Sequence, residues 1–181
     1  MSMLTELFGH RIFTQEVGGV LIAAVDTNIE NPEWINQFEK RAGENEKTIL
    51  EERRKLQEEV LKAVQDHDGP VLLMGHNPSR MIDAFAVKRQ IIQNSRVQAI
   101  VGGHTHTEDH IEVPFKNNQG EKIVMHVVES TVKIKNGVPK PPKAYSIRVS
   151  EGKIGEMSTF SEKEDGFQRR YKNHTEALEL S

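Results

Sequence analysis

Two histidines stand two residues apart in Val101-Gly102-Gly103-His104-Thr105-His106-Thr107, directly after the apolar run 97–101, and a third follows at His110. A neutral imidazole nitrogen is the commonest side-chain metal ligand, and glycine permits the backbone angles and close approach that a tight turn needs. Two imidazoles on a glycine-opened turn at the end of a strand can face one metal centre together. The same device occurs earlier in the chain, where the apolar run 71–74 ends in Gly75-His76. The chemistry to look for is therefore that of a divalent cation held by histidine.

Composition narrows the rest of the donor set. The chain has 181 residues, 28% of them charged and 36% hydrophobic, with a formal net charge of -3. That length can bury one hydrophobic core, and the charge gives no broad basic field for nucleic acid or an anionic membrane. There is no cysteine, which excludes disulfides, iron–sulfur clusters, thiolate zinc sites and a thiol nucleophile. Any metal must sit on histidine and oxygen. No apolar run approaches the ~20 residues that span a bilayer, and residues 1–10 lack a signal-peptide core. A cytoplasmic location is the expectation.

The elements that must position these residues follow from hydropathy pattern. Residues 17–25 (VGGVLIAAV) are continuously apolar and predict a strand buried on both faces, ending at Asp26-Thr27-Asn28. Asn31-Pro32-Glu33 predicts the start of a short helix through Trp34 and Phe38. Residues 48–67 predict a long helix, with Thr48 and Glu51 at capping-box spacing and Leu56, Val60 and Val64 on one face; Gly69-Pro70 then stops it. Its charged face reads as solvated. A strand at 71–74 leads to Gly75-His76-Asn77-Pro78-Ser79, with Ser79 expected to cap a second helix carrying Met81, Ile82, Phe85, Ile91 and Ile92.

Strand 97–101 completes a strand-helix-strand-helix-strand order, which implies parallel strands with right-handed crossovers. In such sheets the ligand crevice lies beyond the carboxyl ends of the strands, where Asp26, His76, His104 and His106 would gather. Shorter strands at 111–115, 123–128, 144–149 and 154–160, with turn sequences Asn117-Asn118-Gln119-Gly120 and Glu151-Gly152, predict antiparallel hairpins. The prolines at 139, 141 and 142 make 136–143 a loop, and 161–181 reads as a polar tail or a short peripheral helix. No internal repeat or low-complexity segment is present.

The ordered pair Gly75-His76-Asn77-Pro78 and Gly103-His104-Thr105-His106, each closing an apolar strand and joined by a helix, resembles the C-terminal half of the calcineurin-like metallophosphoesterases. The resemblance covers roughly residues 17–160. It implies an α/β fold, a partial αββα metallophosphoesterase sandwich of parallel strands with crossover helices followed by antiparallel hairpins. It further implies a phosphomonoesterase or phosphodiesterase that uses two divalent ions, of manganese, iron, zinc or nickel, in a complete site. By the same resemblance His76 and His104 would ligate one ion and His106 the other. Such a pair clamps developing charge and lowers the pKa of the attacking water from ~15.7 toward ~7.

The family's Asp-x-His, Gly-Asp and Gly-Asn-His motifs, which supply its carboxylates, are not found in these 181 residues. The expectation is a site completed by residues outside this sequence, from a homodimer partner or a complementary chain. Asp26, Asn77 and His110 are the further candidates for contact with a metal, although Asp-Thr-Asn at a strand end also reads as a turn. Lys172-Asn173-His174-Thr175-Glu176 reads as a coincidence in a polar stretch, His126 as a packed or surface imidazole, and His67 as a cation at a helix C-terminus. No residue is assigned a catalytic role.

Two other functions fit the same residues. One is a non-catalytic, degenerate module that binds metal or serves as a protein-interaction scaffold. The other is a single-zinc hydrolase built on His104, His106 and His110, which leaves Gly75-His76 unexplained. The expected division is residues 1–160 as the metallophosphoesterase-like half and 161–181 as the tail. Losing the preceding strands would leave a parallel sheet with an open flank, a reason to expect association.

Overall fold

The computed structural model describes residues 12–29, 35–37, 40, 42–83, 86–103, 109–128, 134–135, 138–139, 143–162 and 169–173. The fold is mixed α/β. Its centre is a six-stranded sheet of order β1-β2-β3-β4-β6-β5, formed by β1 (Phe13–Val17), β2 (Val20–Val25), β3 (Val71–Gly75), β4 (Val97–Gly102), β5 (Asp109–Lys116) and β6 (Lys122–Val127). Strands β2, β3, β4 and β6 run parallel, while β1 and β5 flank them antiparallel.

Helices α1 (Glu44–Asp66), α2 (Pro78–Asp83) and α3 (Ala86–Gln93) form the crossovers. The parallel strands step one way across the sheet, so crossovers of one hand place their helices on one face. The larger core lies there, joining Leu50, Val60 and Val64 of α1 and Met81, Ile82 and Ile92 to Leu73, Ile100, Ile123 and Met125 of the sheet. Each fully buried branched side chain such as Ile100 or Ile123 contributes about 1.5–3 kcal/mol. On the opposite face Val20, Leu72, Ala99 and Val101 pack against Ile147, Val149 and Ile154. These come from β9 (Lys143–Ser150) and β10 (Lys153–Glu162), part of a three-stranded antiparallel sheet closed by β11 (Arg169–Asn173). The layers are helix, six-stranded sheet and small sheet.

Several expectations are corrected. The apolar run 17–25 is broken by a hairpin turn: Gly18 and Gly19 have φ of 56° and 79°, a left-handed pair that suits a two-residue turn, and β1 folds back along β2. The flank expected to be open is therefore covered by β1, whose own outer side forms the sheet edge. The long helix starts at Glu44, so Thr48 sits inside it and its hydroxyl donates to the Glu44 carbonyl at 3.0 Å; the Glu46 carboxylate accepts from the N–H of Gly43 at the helix start. The helix ends at Asp66 with His67 as its cap, ahead of the expected Gly69.

The second crossover comprises two helices, and its first begins at Pro78, ahead of the expected cap at Ser79. Strand β6 pairs parallel to β4 as well as antiparallel to β5, an addition that the hairpin pattern does not reveal. Within the expected loop 136–143, Val138–Pro139 pair with Ile134–Lys135 as β8 and β7. Within the expected tail, β11 pairs with β10. Residues 35–37 are helical; Trp34, Phe38 and Phe85 of the expected helices lie outside the described residues. The turns at 117–120 and 151–152 are as expected, the latter with positive φ at Glu151 and Gly152.

Candidate metal centre at the carboxyl ends of the strands

The parallel strands β2, β3 and β4 end side by side, and the residues that follow are joined by short polar links. Asn77 donates its backbone N–H to the Thr27 hydroxyl at 3.2 Å, linking the ends of β2 and β3. Gly103 donates its N–H to the His76 carbonyl at 3.0 Å, linking the ends of β3 and β4. Val128, beyond β6, donates to the Gly102 carbonyl at 2.7 Å. The two Gly-His turns are thus neighbours through their backbones. The glycines are required by this approach: a Cβ on Gly102 would lie 2.3 Å from the Gly75 carbonyl oxygen and 2.6 Å from Pro78 Cδ.

The side chains at this edge have distinct surroundings. His76 is exposed. Asp26 is buried, and both its carboxylate oxygens are engaged: Oδ1 accepts the Asn28 N–H at 2.9 Å, and Oδ2 accepts from the Arg53 guanidinium. Its own N–H donates to Gln57 Oε1 at 2.8 Å. This is the turn that an aspartate at a strand end forms with its own backbone, reinforced by α1. Asn77 is buried, and its Oδ1 accepts the Arg80 N–H at 3.3 Å, which makes it the cap of α2. His104 and His106 lie outside the described residues, between the end of β4 and the start of β5.

His110 lies on β5 directly opposite His126 on β6. Their rings meet edge to face, with centroids 4.7 Å apart and planes at 81°. His126 also neighbours Val101 of β4, so the pair adjoins the strand that carries the histidine motif. Burial, and secondly positive charge on His110, push the His126 pKa down to about 4, which keeps the ring neutral at pH 7. Its Nδ1 is buried with no hydrogen-bond partner among the described residues.

The structure therefore gathers Asp26, His76 and Asn77 at one sheet edge and leads Gly103 into it, while His110 pairs with His126. Among the described residues, no group of three or more histidine, aspartate and glutamate side chains converges as a metal cage. Sequence reasoning passed over Gln57 and left Arg53 on the solvated helix face, whereas Arg53 pairs with Asp26; His126, read as a packed or surface imidazole, is packed against His110. For Gln57 a signal existed: it shares the buried stripe of Leu50, Val60 and Val64, and a polar residue in such a stripe needs a partner. For His126 the signal is the strand register, which the chain's own pattern does not supply. A scan against protein-family models and a search of curated proteins each find no match to this chain.

Proposed function

We propose that this chain is the C-terminal half of a metal-dependent phosphoester hydrolase of the calcineurin-like kind, acting on a phosphomonoester or phosphodiester, its site completed by residues beyond this sequence. The observation that carries the reading is the 3.0 Å hydrogen bond from Gly103 N to the His76 carbonyl, which makes the two Gly-His turns adjacent. The mixed α/β layering of helices, six-stranded sheet and small sheet supports it, being compatible with part of the αββα sandwich that the resemblance implies.

The donor chemistry fits borderline divalent ions in part. His76, with His104 and His106 after Gly103, offers imidazole nitrogens suited to zinc, nickel, iron or manganese. When bound, two such ions would polarise a phosphoryl oxygen and supply the nucleophilic water. Asp26 orders the turn after β2 through Asn28 and Arg53, and Asn77 holds the start of α2, so their part is to hold the strand ends in place. The missing carboxylates are assigned to a complementary chain or segment that carries them, and gel filtration of this chain mixed with such a partner would register their association.

The engagement of both Asp26 oxygens favours a second reading, a non-catalytic module that binds one metal through His76 and His104 or serves as a protein scaffold. Purified chain with added manganese and a chromogenic phosphodiester separates the two. Manganese-dependent turnover that disappears in His104→Ala supports the hydrolase. A folded chain with no turnover at any manganese concentration overturns catalysis by this chain alone, and loss of manganese binding as well overturns the metal-dependent reading and leaves the protein scaffold.

A further inference from the structure

We propose that His110 and His126 form a cross-strand imidazole clamp for one borderline transition-metal ion, zinc, nickel or copper, separate from the Gly-His turns. Residues directly opposite on antiparallel strands have Cβ atoms about 4.5–5.5 Å apart, close enough for two imidazoles to share a ligand. A metal held at about 2.0–2.1 Å by imidazole nitrogen lies about 3.2 Å from the ring centre, so two ligand rings at right or tetrahedral angles have centroids about 4.5–5.2 Å apart. The observed separation of 4.7 Å falls inside that window. Rotation about χ2, a soft torsion, re-aims the ring nitrogens while leaving the ring centres close to where they are.

Both ligands are carried on paired strands, in regular register from Asp109 opposite Val127 to Glu112 opposite Val124, and a site on strands is held more precisely than one on loops. The turn between β5 and β6 is held by Asn117, whose Oδ1 accepts the N–H groups of Gln119 and Glu121 at 3.0 Å each, and whose Nδ2 donates to the Val97 carbonyl at 3.2 Å. Lys122 pairs with Glu112 at 3.1 Å across the same two strands. Glu112 stands two residues from His110 and is occupied by Lys122, so water completes the coordination. The buried Nδ1 of His126 makes no hydrogen bond among the described residues. A cation bound there satisfies a nitrogen that no described residue satisfies.

The test uses the full chain with His76, His104 and His106 all changed to alanine, which removes the turns without touching the clamp, and zinc chloride alone as the probe in calorimetric titration. One zinc per chain is expected, and His110→Asn and His126→Asn added singly each weaken it by about tenfold or more. Absence of zinc binding in the triple variant, or unchanged affinity in either added variant, overturns the clamp. Ring-nitrogen NMR of the unaltered chain provides a measurement independent of variant folding: zinc shifts the ring nitrogens of both His110 and His126 if the clamp exists, and leaves them in place if it does not. Because the triple variant lacks the turn histidines, this outcome is independent of the phosphodiester assay.

Discussion

Arg53, on α1, donates to the carboxylate of Asp26 at the end of β2, so one ion pair ties the helix layer to the edge where the strands end. The two partners are unequally placed: the Asp26 side chain is 7% exposed and that of Arg53 35%. Removing the arginine leaves a buried carboxylate with the Asn28 N–H as its remaining partner among the described residues. Solvent reaching the guanidinium tempers the loss, so Arg53→Ala is expected to cost about 1–3 kcal/mol, between the values of exposed and buried pairs. In Asp26→Asn the Oδ1 acceptor survives. The double variant in urea unfolding should lose less than the sum of the singles by about 1 kcal/mol, and strict additivity would show that the pair has no energetic coupling.

Gly102 and Gly75 predict a graded effect of adding one methyl group. At Gly102 the new Cβ would meet the Gly75 carbonyl oxygen at 2.3 Å, a backbone atom that cannot move aside. At Gly75 it would meet Met81 Cε and Thr27 Cγ2, each at 3.0 Å, and a methionine end can yield. Gly102→Ala is expected to cost about 3 kcal/mol or more and Gly75→Ala about 1 kcal/mol. Chemical denaturation midpoints measure both. Equal midpoints for the two variants would mean that the strands can separate at this edge.

The cap of α2 is Asn77, and the exchange of side chains there separates capping from ligation. Asn77→Ala removes the acceptor for the Arg80 N–H and should cost about 1 kcal/mol. Asn77→Asp retains an acceptor at the same place and should recover most of that loss in thermal unfolding. Recovery absent in Asn77→Asp would argue that the amide's donor, and not its cap, is what the fold uses.

What was legible in the chain was whatever local pattern decides. Strands β3 and β4 are short apolar runs closed by glycine, and α1 carries an apolar stripe, so the parallel order β2-β3-β4 followed from the alternation of elements. The β1–β2 hairpin was hidden because Gly18 and Gly19 lie inside a continuous apolar run, and β1, Phe-Thr-Gln-Glu-Val, is exposed along its whole length, with none of the alternation that marks a half-buried strand. The parallel pairing of β6 with β4 depends on which strand edge is free once the sheet assembles, a tertiary fact. The same holds at the site. Glycine and histidine spacing placed His76 at a strand end, but the Arg53 and Gln57 partners of Asp26 arrive from a helix many residues away.

His126 gives the chain a definite acid response. Its folded pKa of about 4 lies below the ordinary value of 6.5, through burial first and the charge of His110 second. Between those values the unfolded chain binds a proton that the folded chain does not, so stability rises with pH across that window. The contribution is complete above pH 6.5, is lost progressively as pH falls toward 4, and changes no further below that. A displacement of this size corresponds to roughly 3 kcal/mol. Urea midpoints of the unaltered chain should therefore decline between pH 6.5 and 4 more steeply than those of His126→Gln, which has no proton to bind. Parallel declines in the two proteins would place the acid sensitivity in other groups and remove His126 from the account.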